Sequence, residues 1–240
     1  MAGNAILHNV SFDLDTRKEI SQEISNRISS VNKTTDFEIL VVGSPNAWEV
    51  QDIDEEISRR SHLLCLDLSE KSNFEVVEKK YKTANHIVTN FFNHKFEKKF
   101  DIIVSRWMFH HLTSSEKRHF YSKCKSILNS SGCCIVVDYF FNDFSSIEER
   151  IKVGIEHMSY RRVNADPPFS DPSDEKLINQ IINAEVANHR GGKMDSVKNV
   201  TQYSEESNFH TTSKLTIDSL RYDRPDLWGQ YMLTSFMKNE

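Results

Sequence analysis

The sequence predicts an α/β fold, in which a mainly parallel sheet carries helices on both faces and ends in an antiparallel pair of strands. Two observations predict it. Short apolar runs alternate with segments of helical spacing up to Asp138, and this alternation is typical of parallel sheets. Further on, the β-rich runs Lys214–Tyr222 and Gly229–Met237 follow each other with no helix between them, so they must pair antiparallel.

The stretch Phe37–Glu49 joins the first strand to the segment that follows it. The apolar run Ile39–Val42 ends at Gly43, and a short polar turn then leads into residues with helical spacing. Such a junction exposes backbone N–H groups, so it is the usual place where an α/β protein holds a nucleotide-like ligand. A full glycine fingerprint would have two more glycines, where this chain has Pro45 and Ala47. We expect neither residue to adopt a positive φ cheaply.

The remaining elements follow from apolar spacing, caps and helix breakers. Helices are predicted over Asp13–Val31, Ala47–Arg60, Glu70–Tyr81, Thr113–Leu128, Ile147–Arg161, Ser173–Ala187 and Val197–Ser207. Strands are predicted over Phe37–Val42, His62–Leu66, His86–Thr89, Phe100–Val104 and Cys133–Val137. We expect one domain over residues 1–240, with residues 1–36 as an N-terminal helical cover and residues 145–194 as a helical lid inserted between strands five and six.

The composition bounds the function. A chain of 240 residues with 38% hydrophobic content is long enough for one well-buried domain. A net charge of -5 and a pI of 6.1 disfavour a nucleic-acid partner, which requires a clustered basic surface. The four cysteines lack zinc-site spacing, so they predict reduced core thiols in a cytoplasmic protein and no metal. Early acidic residues argue against a signal peptide, and no apolar run approaches the roughly 20 residues of a membrane span.

Polar residues follow the ends of two predicted strands. Asp67 ends the second strand, about 20 residues after the glycine turn, where an acid accepts hydrogen bonds from ribose hydroxyls; a helix N-cap is an equally good interpretation. His110 and His111 follow the fourth strand, at the edge of the sheet where ligands bind. Histidine is the simplest base near pH 7, so both are catalytic candidates, against the alternative of a helix cap and a packing residue.

The predicted lid and several aromatic residues supply further candidates. His157 is a second candidate base, and Tyr160 and Arg161 are candidate substrate contacts, although a solvated charged face is the favoured interpretation of these residues. Aromatic residues near strand ends would line an apolar cleft for a small organic acceptor, while ordinary packing is favoured for any single one of them. They are Phe91, Phe92, Trp107, Phe109, Tyr139, Phe140, Phe141 and Phe144.

At three places the chain resembles the class I S-adenosylmethionine-dependent methyltransferases. Phe100–Leu112 is similar to the family's fourth strand and the loop after it, and this is the most specific match. Ile127–Gly132 is similar to the turn before strand five, and Glu205–Phe209 is similar to the end of the helix before strand six. The resemblance covers nearly the whole chain. It implies a Rossmann-like, seven-stranded mixed sheet with a closing antiparallel hairpin, and S-adenosyl-L-methionine as the cofactor.

The resemblance also implies roles for individual residues. Gly43 matches the glycine beneath the cofactor, Asp67 the acid that holds its ribose, and Asn90 the residue that meets the adenine amino group. The family's acid two residues before the glycine is replaced by Val41. Cofactor contacts are predicted for Gly43, Ser44, Asp67, Leu68, Asn90, Phe91, Ser105 and Arg106. Substrate contacts are predicted for Trp107, Tyr139, Tyr160 and Arg161, and catalytic roles for His110, His111 and His157.

Two hypotheses from different classes follow. The leading one is an enzyme that transfers a methyl group from S-adenosylmethionine to a small organic acceptor, as in secondary metabolism. The alternative is a catalytically weakened or repurposed relative that acts as a binding or partner subunit, because the glycine loop carries Val41, Pro45 and Ala47. A nicotinamide-dependent enzyme is a third interpretation, against which the closing hairpin argues. The expected partner is a small molecule, with no membrane contact and with a homodimer as an option.

Overall fold

The computed structural model describes residues 14–30, 36–71, 73–144, 146, 148–153, 155–156, 183, 195–222 and 228–238. The strands are β1 Phe37–Val42, β2 Ser61–Asp67, β3 Thr83–Val88, β4 Phe100–Arg106, β5 Leu128–Phe141, β6 Phe209–Leu215 and β7 Trp228–Met237. The helices are α1 Leu14–Ser30, α2 Glu55–Arg59, α3 Glu75–Glu78, α4 Ser114–Ile127, α5 Val197–Glu206 and α6 Ile217–Tyr222. Two short 3₁₀ turns cover Trp48–Val50 and Phe109–His111.

The strands form one seven-stranded sheet in the order β3-β2-β1-β4-β5-β7-β6. The pairs from β3 to β5 are parallel, whereas β7 runs antiparallel to both β5 and β6. The order of the strands changes direction at β1, because β2 and β3 follow on one side of it and β4 and β5 on the other. Ligands bind at such a switch point, outside the carboxyl ends of the strands. The predicted α/β fold with its antiparallel final strands is confirmed.

Helices cover both faces of the sheet, as the sequence predicted. On one face, Ile20, Ile24 and Ile28 of α1 pack with α3 against the inner side chains of β1, β2 and β4. On the other face, Phe120 of α4 and Val200 of α5 pack in a separate core cluster. Since β1 is buried from both sides, its apolar run lacks the alternation expected of a half-exposed strand.

The start of α4 is the local feature that the sequence predicts best. Thr113 accepts a hydrogen bond from the backbone N–H of Glu116 at 3.3 Å, and the Glu116 carboxylate accepts one from the backbone N–H of Thr113 at 2.8 Å. This reciprocal capping box fixes where α4 begins. It thereby fixes the length of the loop between β4 and α4.

The predicted helix over Ala47–Arg60 is wrong. The chain forms a 3₁₀ turn at Trp48–Val50 and starts a separate helix only at Glu55. Asp54 caps that helix, because its carboxylate accepts a hydrogen bond from the backbone N–H of Glu56 at 2.8 Å. The predicted helix over Glu70–Tyr81 is also too long, since α3 is a single turn that follows Asn73 at φ 51°.

The predicted position of strand six is also wrong. The strand is β6, Phe209–Leu215, and most of the predicted run forms α6 instead, so a helix lies between β6 and β7 where the sequence predicted none. Asn208 ends α5 with a positive φ of 67°, so that Phe209 enters the core and starts the strand directly. Most of β6 beyond Phe209 is polar and exposed. It lies at the sheet edge, so it lacks the apolar pattern by which strands are recognised.

The predicted strand three begins earlier than expected, at Thr83. In the insertion, residues 148–153 and 155–156 are helical, in agreement with the start of the first predicted helix. The rest of that helix and nearly all of the second lie outside the described residues. The lid therefore stays a prediction.

A buried ion pair fastens the chain where it returns to the sheet after the insertion. The Lys117 ammonium on α4 lies 2.8 Å from a carboxylate oxygen of Asp195, and the two side chains are 1% and 3% exposed. The other oxygen of Asp195 accepts hydrogen bonds from Asn199 at 3.0 Å and from the Tyr203 hydroxyl at 3.3 Å. The Asp195 carbonyl accepts a hydrogen bond from the backbone N–H of Phe141 at 3.1 Å. Asp195 thus links α4 and α5 to the end of β5.

We expect Lys117→Met to lower the free energy of unfolding by about 3–5 kcal/mol, because it leaves the Asp195 carboxylate buried without its cation. Urea denaturation measures the change. The matched control is Lys198→Met, whose ammonium lies 3.6 Å from Asp143 between side chains that are 76% and 57% exposed. That change should cost less than about 1 kcal/mol. Equal losses in the two variants would contradict the assignment.

Candidate cofactor and active site

The turn after β1 is built around Gly43. Its φ is 81°, and a Cβ atom added there would lie 3.2 Å from the Cβ of Met108 in the loop after β4. The Gly43 N–H donates a hydrogen bond to the Leu66 carbonyl at 2.8 Å, which holds the turn against the end of β2. A glycine is required here both by the backbone conformation and by the close approach of the neighbouring loop.

Asn46 organises the rest of the turn. Its side-chain oxygen accepts hydrogen bonds from the Ser44 hydroxyl and from the backbone N–H of Trp48, both at 3.2 Å. Its backbone carbonyl accepts a hydrogen bond from the Gln51 side chain at 3.0 Å. These bonds close the polar turn on itself, and they place Ser44 at the end of β1 in a buried position.

Ala47 adopts the left-handed conformation that a glycine would take there, with φ 48° and ψ 40°. An L-residue pays about 1–2 kcal/mol for this backbone geometry. Ala47 therefore adopts the glycine conformation, at the energetic cost that the sequence led us to expect. Its methyl group is completely buried in the core, and that burial offsets part of the cost.

Asp67 ends β2 next to this turn. One of its carboxylate oxygens accepts a hydrogen bond from the backbone N–H of Ser69 at 2.6 Å. Among the described residues no hydrogen bond reaches its second oxygen, so that oxygen is open to a ligand hydroxyl. The next residue, Leu68, is 73% exposed at the same edge.

Asn90 and Phe91 follow β3 with different surroundings. The Asn90 side-chain oxygen accepts a hydrogen bond from the backbone N–H of Phe92 at 2.8 Å, and the residue is exposed. The Phe91 ring is buried against Phe120 of α4, with 5.2 Å between ring centroids. Any contact of Phe91 with a ligand would therefore come from its backbone.

At the end of β4, Ser105 and Arg106 are buried and Trp107 turns the chain with φ 53°. The Arg106 guanidinium lies between two indole rings, 3.9 Å from the centroid of Trp48 and 3.6 Å from that of Trp107. Cations are attracted to the faces of aromatic rings, and most strongly to tryptophan. Trp48 lies in the turn after β1, so this stack joins the ends of β1 and β4.

Glu49 falls within the predicted helix Ala47–Arg60, and the sequence analysis assigned it no role. It lies in the 3₁₀ turn and is 2% exposed, and its Oε2 has no hydrogen-bond partner among the described residues. Burial raises the pKa of Glu49, while the Arg106 guanidinium and the Ser44 hydroxyl oppose that rise. The one signal in the sequence is that this acid directly follows Trp48 in the turn after β1.

His110 is held by Asp138, an acid at the end of β5 that the sequence analysis did not assign to the site. The Nδ1 atom of His110 lies 2.9 Å from one carboxylate oxygen of Asp138, and the His110 backbone N–H donates to the other at 3.1 Å. Asp138 is fully buried, whereas the His110 side chain is 28% exposed. Burial raises the pKa of Asp138, but the electrostatic attraction of His110 and hydrogen bonds from His110 and the Tyr139 backbone outweigh it and lower the pKa below its usual value.

A carboxylate at Nδ1 selects the histidine tautomer that carries its proton there. The Nε2 atom of His110 then has a free lone pair and can accept a proton. The stabilisation that Asp138 provides is present above its usual unfolded-state pKa of about 3.9, and it is lost as the pH falls through its lower folded-state value. Asp138 is therefore ionised at neutral pH and holds the imidazole through Nδ1.

The other predicted site residues are placed as follows. His111 is exposed, and its ring centroid lies 3.9 Å from that of His110. Tyr139 donates its backbone N–H to Asp138 at 2.8 Å. His157, Tyr160 and Arg161 lie outside the described residues, so their roles stay predictions.

Four of the eight aromatic residues that were expected to line a cleft, including Phe91, are buried in the core instead. Phe109 and Phe140 are buried in the core cluster on the α4 face, and Phe141 packs in a separate cluster with Trp228. These rings fill space between the sheet and its helices. Phe92 and Trp107 are partly exposed near the strand ends.

Within the described part of the chain, no cluster of histidine, cysteine or acidic side chains could hold a metal ion. A cleft of 260 Å³ lies at the opposite edge of the sheet, near the amino ends of β1, β4 and β5. Its lining includes Asp101, whose carboxylate already accepts hydrogen bonds from the Glu38 backbone at 2.9 Å and from Asn129 at 2.7 Å. The Asp101 carboxylate is thus already satisfied, and the cleft lies away from the edge that carries Gly43 and His110.

Comparisons with known proteins agree with this architecture. Residues 40–136 match a family model described as a methyltransferase domain. The 1,6-didemethyltoxoflavin-N1-methyltransferase of Burkholderia thailandensis superposes with a TM-score of 0.57 at 8% identity, over 93% of this chain and 78% of that one. The magnesium protoporphyrin IX methyltransferase of Synechocystis gives 0.56 at 8% identity, over 95% and 85%. The N-methyltransferase NodS of Bradyrhizobium japonicum gives 0.52 at 11% identity, over 93% and 97%.

A comparison with curated protein sequences gives no significant match. At such low identities the solved structures establish the fold alone. The fold and the matched domain together define the class of protein, a methyltransferase domain on a Rossmann-like sheet. Residues 40–136 match a methyltransferase domain and the fold is that of class I S-adenosylmethionine-dependent methyltransferases, in agreement with the family that the sequence predicted and with S-adenosylmethionine as the cofactor of that class. No helix in the described ranges has the length and apolar character needed to cross a bilayer.

We expect Gly43→Ala to lower the free energy of unfolding by about 1–2 kcal/mol or more, because a positive φ is unfavourable for alanine and its Cβ would lie 3.2 Å from the Cβ of Met108. Thermal or urea unfolding measures the change. The control is Ala47→Gly, the opposite exchange four residues later. It should change stability by less than about 1 kcal/mol, because relief of backbone strain and loss of a buried methyl offset each other. A Gly43→Ala variant as stable as the parent would contradict the described turn.

Proposed function

We propose that this protein is an S-adenosylmethionine-dependent methyltransferase that acts on a small organic acceptor of the kind met in secondary metabolism. One observation carries the proposal. The carboxyl ends of four neighbouring strands bring the Gly43 turn, Asp67 and the His110–Asp138 pair to a single edge of the sheet. That edge combines a place for a nucleoside-like cofactor with a group that can accept a proton.

The residues at this edge fit the cofactor of the class. Gly43 leaves the space that a Cβ would fill, and Asp67 has an oxygen open to a ribose hydroxyl. Glu49 and the Trp107 indole N–H each have a buried polar atom without a partner among the described residues. Ser44, Leu68, Asn90, Phe91 and Ser105 complete the proposed cofactor contacts. When bound, S-adenosylmethionine supplies an electrophilic methyl group.

The protein's own part in the reaction is positioning and proton removal. We assign the base to His110, with Nε2 accepting the proton that the acceptor's nucleophilic atom loses as it bonds to the methyl group. Asp138 keeps the imidazole oriented through Nδ1 and stabilises the imidazolium that results. We keep His111 as a second candidate beside it.

We propose residues 145–194 as a lid over the acceptor, with His157, Tyr160 and Arg161 as its contacts, together with Trp107 and Tyr139. The lid's second end returns to the sheet at Asp195, which is bonded to the end of β5. The acceptor would then lie between the lid and the His110 edge. We also propose a cytoplasmic location, which the four free, buried cysteines support.

A second candidate function is a weakened or repurposed relative that serves as a binding or partner subunit. The observation in its favour is the state of the cofactor turn, where Ala47 occupies a glycine conformation and the Arg106 side chain is stacked between two indoles. Calorimetric titration with S-adenosylmethionine and S-adenosylhomocysteine separates the two. Absence of heat at millimolar ligand would rule out the enzyme.

We expect Asp67→Ala to weaken the binding of S-adenosylhomocysteine by on the order of 1–3 kcal/mol, because it removes a charged acceptor from the ribose hydroxyls. Isothermal titration calorimetry measures the affinity. Glu70→Ala is the control, since Glu70 is an exposed carboxylate three residues further on and should leave binding unchanged. An Asp67→Ala variant with the parent's affinity would refute the assigned role.

With an acceptor identified by screening, we expect His110→Gln to lower the rate of methyl transfer by about 10²–10⁴-fold, the usual contribution of a general base. S-adenosylhomocysteine affinity should stay within a few-fold, because His110 acts on the acceptor. The control is His119→Gln on α4, an exposed histidine whose ring packs on Phe92. If His110→Gln kept full activity, His110 would not be the base.

A further inference from the structure

Glu49 is a buried acid that the structure leaves partly unsatisfied. It is 2% exposed, and its Oε2 has no hydrogen-bond partner among the described residues. A buried carboxylate without compensation is costly, so native proteins pair such a group with a cation or a hydrogen-bond donor. The unsatisfied oxygen indicates that something other than the described protein groups binds there.

The position of Glu49 identifies where that partner would lie. The Ser44 hydroxyl at the end of β1 is close enough to oppose the rise in the pKa of Glu49, and the carboxylate interacts electrostatically with Asp67 at the end of β2 and Arg106 at the end of β4. The Glu49 charge also adds to the rise that burial causes in the pKa of Cys65, the buried thiol two residues before Asp67. Glu49 is thus surrounded by the ends of the three strands that form the proposed cofactor edge.

The charge of Glu49 selects the chemistry of its partner. A cationic hydrogen-bond donor would satisfy Oε2 and balance a charge that Asp67 disfavours, whereas an anionic group would add to the repulsion. The residue two positions before Gly43, where the family has its acid, is Val41, which is completely buried in the core on the α1 face. The chain therefore has no acid on β1 that could serve a cation at this edge.

We propose that Glu49 binds the α-ammonium group of the cofactor's amino acid chain and so replaces the acid that β1 lacks. This inference rests on the proposed function, because it needs a cofactor of that chemistry. It assigns a binding role to a residue of the turn after β1 that lies outside the family's pattern of positions.

The test is calorimetric titration of Glu49→Gln and the unmodified protein with two ligands. S-adenosylhomocysteine contains the amino acid chain, whereas methylthioadenosine has the adenosine and the thioether but no ammonium group. We expect Glu49→Gln to weaken S-adenosylhomocysteine binding by about 10- to 100-fold, as a lost hydrogen bond between charged groups does, and to leave methylthioadenosine binding unchanged. Glu56→Gln, an exposed acid on α2, is the control and should change neither.

A second readout is the melting temperature without ligand. Burial holds the pKa of Glu49 above its usual value, so the charged form costs stability at neutral pH and glutamine removes that cost. We therefore expect Glu49→Gln to melt at a higher temperature than the parent. A variant that is more stable and still binds methylthioadenosine is folded, so its loss of S-adenosylhomocysteine affinity reports on the ammonium contact.

The outcomes separate this inference from the proposed function. Equal S-adenosylhomocysteine affinity in the variant and the parent would overturn the role of Glu49 while leaving the enzyme proposal intact. An equal loss for both ligands would also overturn it, because the effect would then be on the whole site. If the unmodified protein bound neither ligand at millimolar concentration, the proposed function would fail and the ammonium assignment with it.

Discussion

The parallel pairing of β1 between β2 and β4 is the constraint on which the rest of the structure depends. Val42, the last residue of β1, lies opposite Leu66 on one side and Ser105 on the other. Since parallel strands end at the same edge, this register brings the turns after all three strands together. The Gly43 turn can then close against both neighbours, as the hydrogen bond to β2 and the contact with Met108 show.

Behind this edge the core contains charges that are satisfied by specific partners. Asp138 is fully buried and receives three hydrogen bonds from His110 and Tyr139, while Lys117 and Asp195 form a buried ion pair nearby. Fully satisfied polar networks fix a single arrangement of the elements around them. Here they fix the imidazole of His110 and the point at which the chain returns to the sheet after the insertion.

The turn after β1 contains two energetically unfavourable features, a left-handed residue and a buried acid. Ala47 lies in the left-handed region, and Glu49 is buried with an unsatisfied oxygen, only a few residues from Gly43. Features of this kind cluster at functional sites, where the surrounding structure holds them in place. The same features that departed from the family's sequence pattern thus indicate where a ligand would be recognised. If Glu49 binds a cationic group, the same buried charge would lower the stability of the free protein and raise its affinity for the ligand.

The sequence alone determined the sheet class, the apolar strands, the Gly43 turn, the capping box at Thr113 and the antiparallel final pair, because each depends on residues near one another in the chain. The break in the predicted helix after Val50 and the early start of β6 are also local, since they are set by the cap at Asp54 and by Asn208, but their signals are weaker than the apolar pattern. Only the tertiary structure decided the burial of Glu49 and the pairing of His110 with Asp138. These depend on residues that are distant in sequence and meet only through strand register and packing, so no local pattern encodes them.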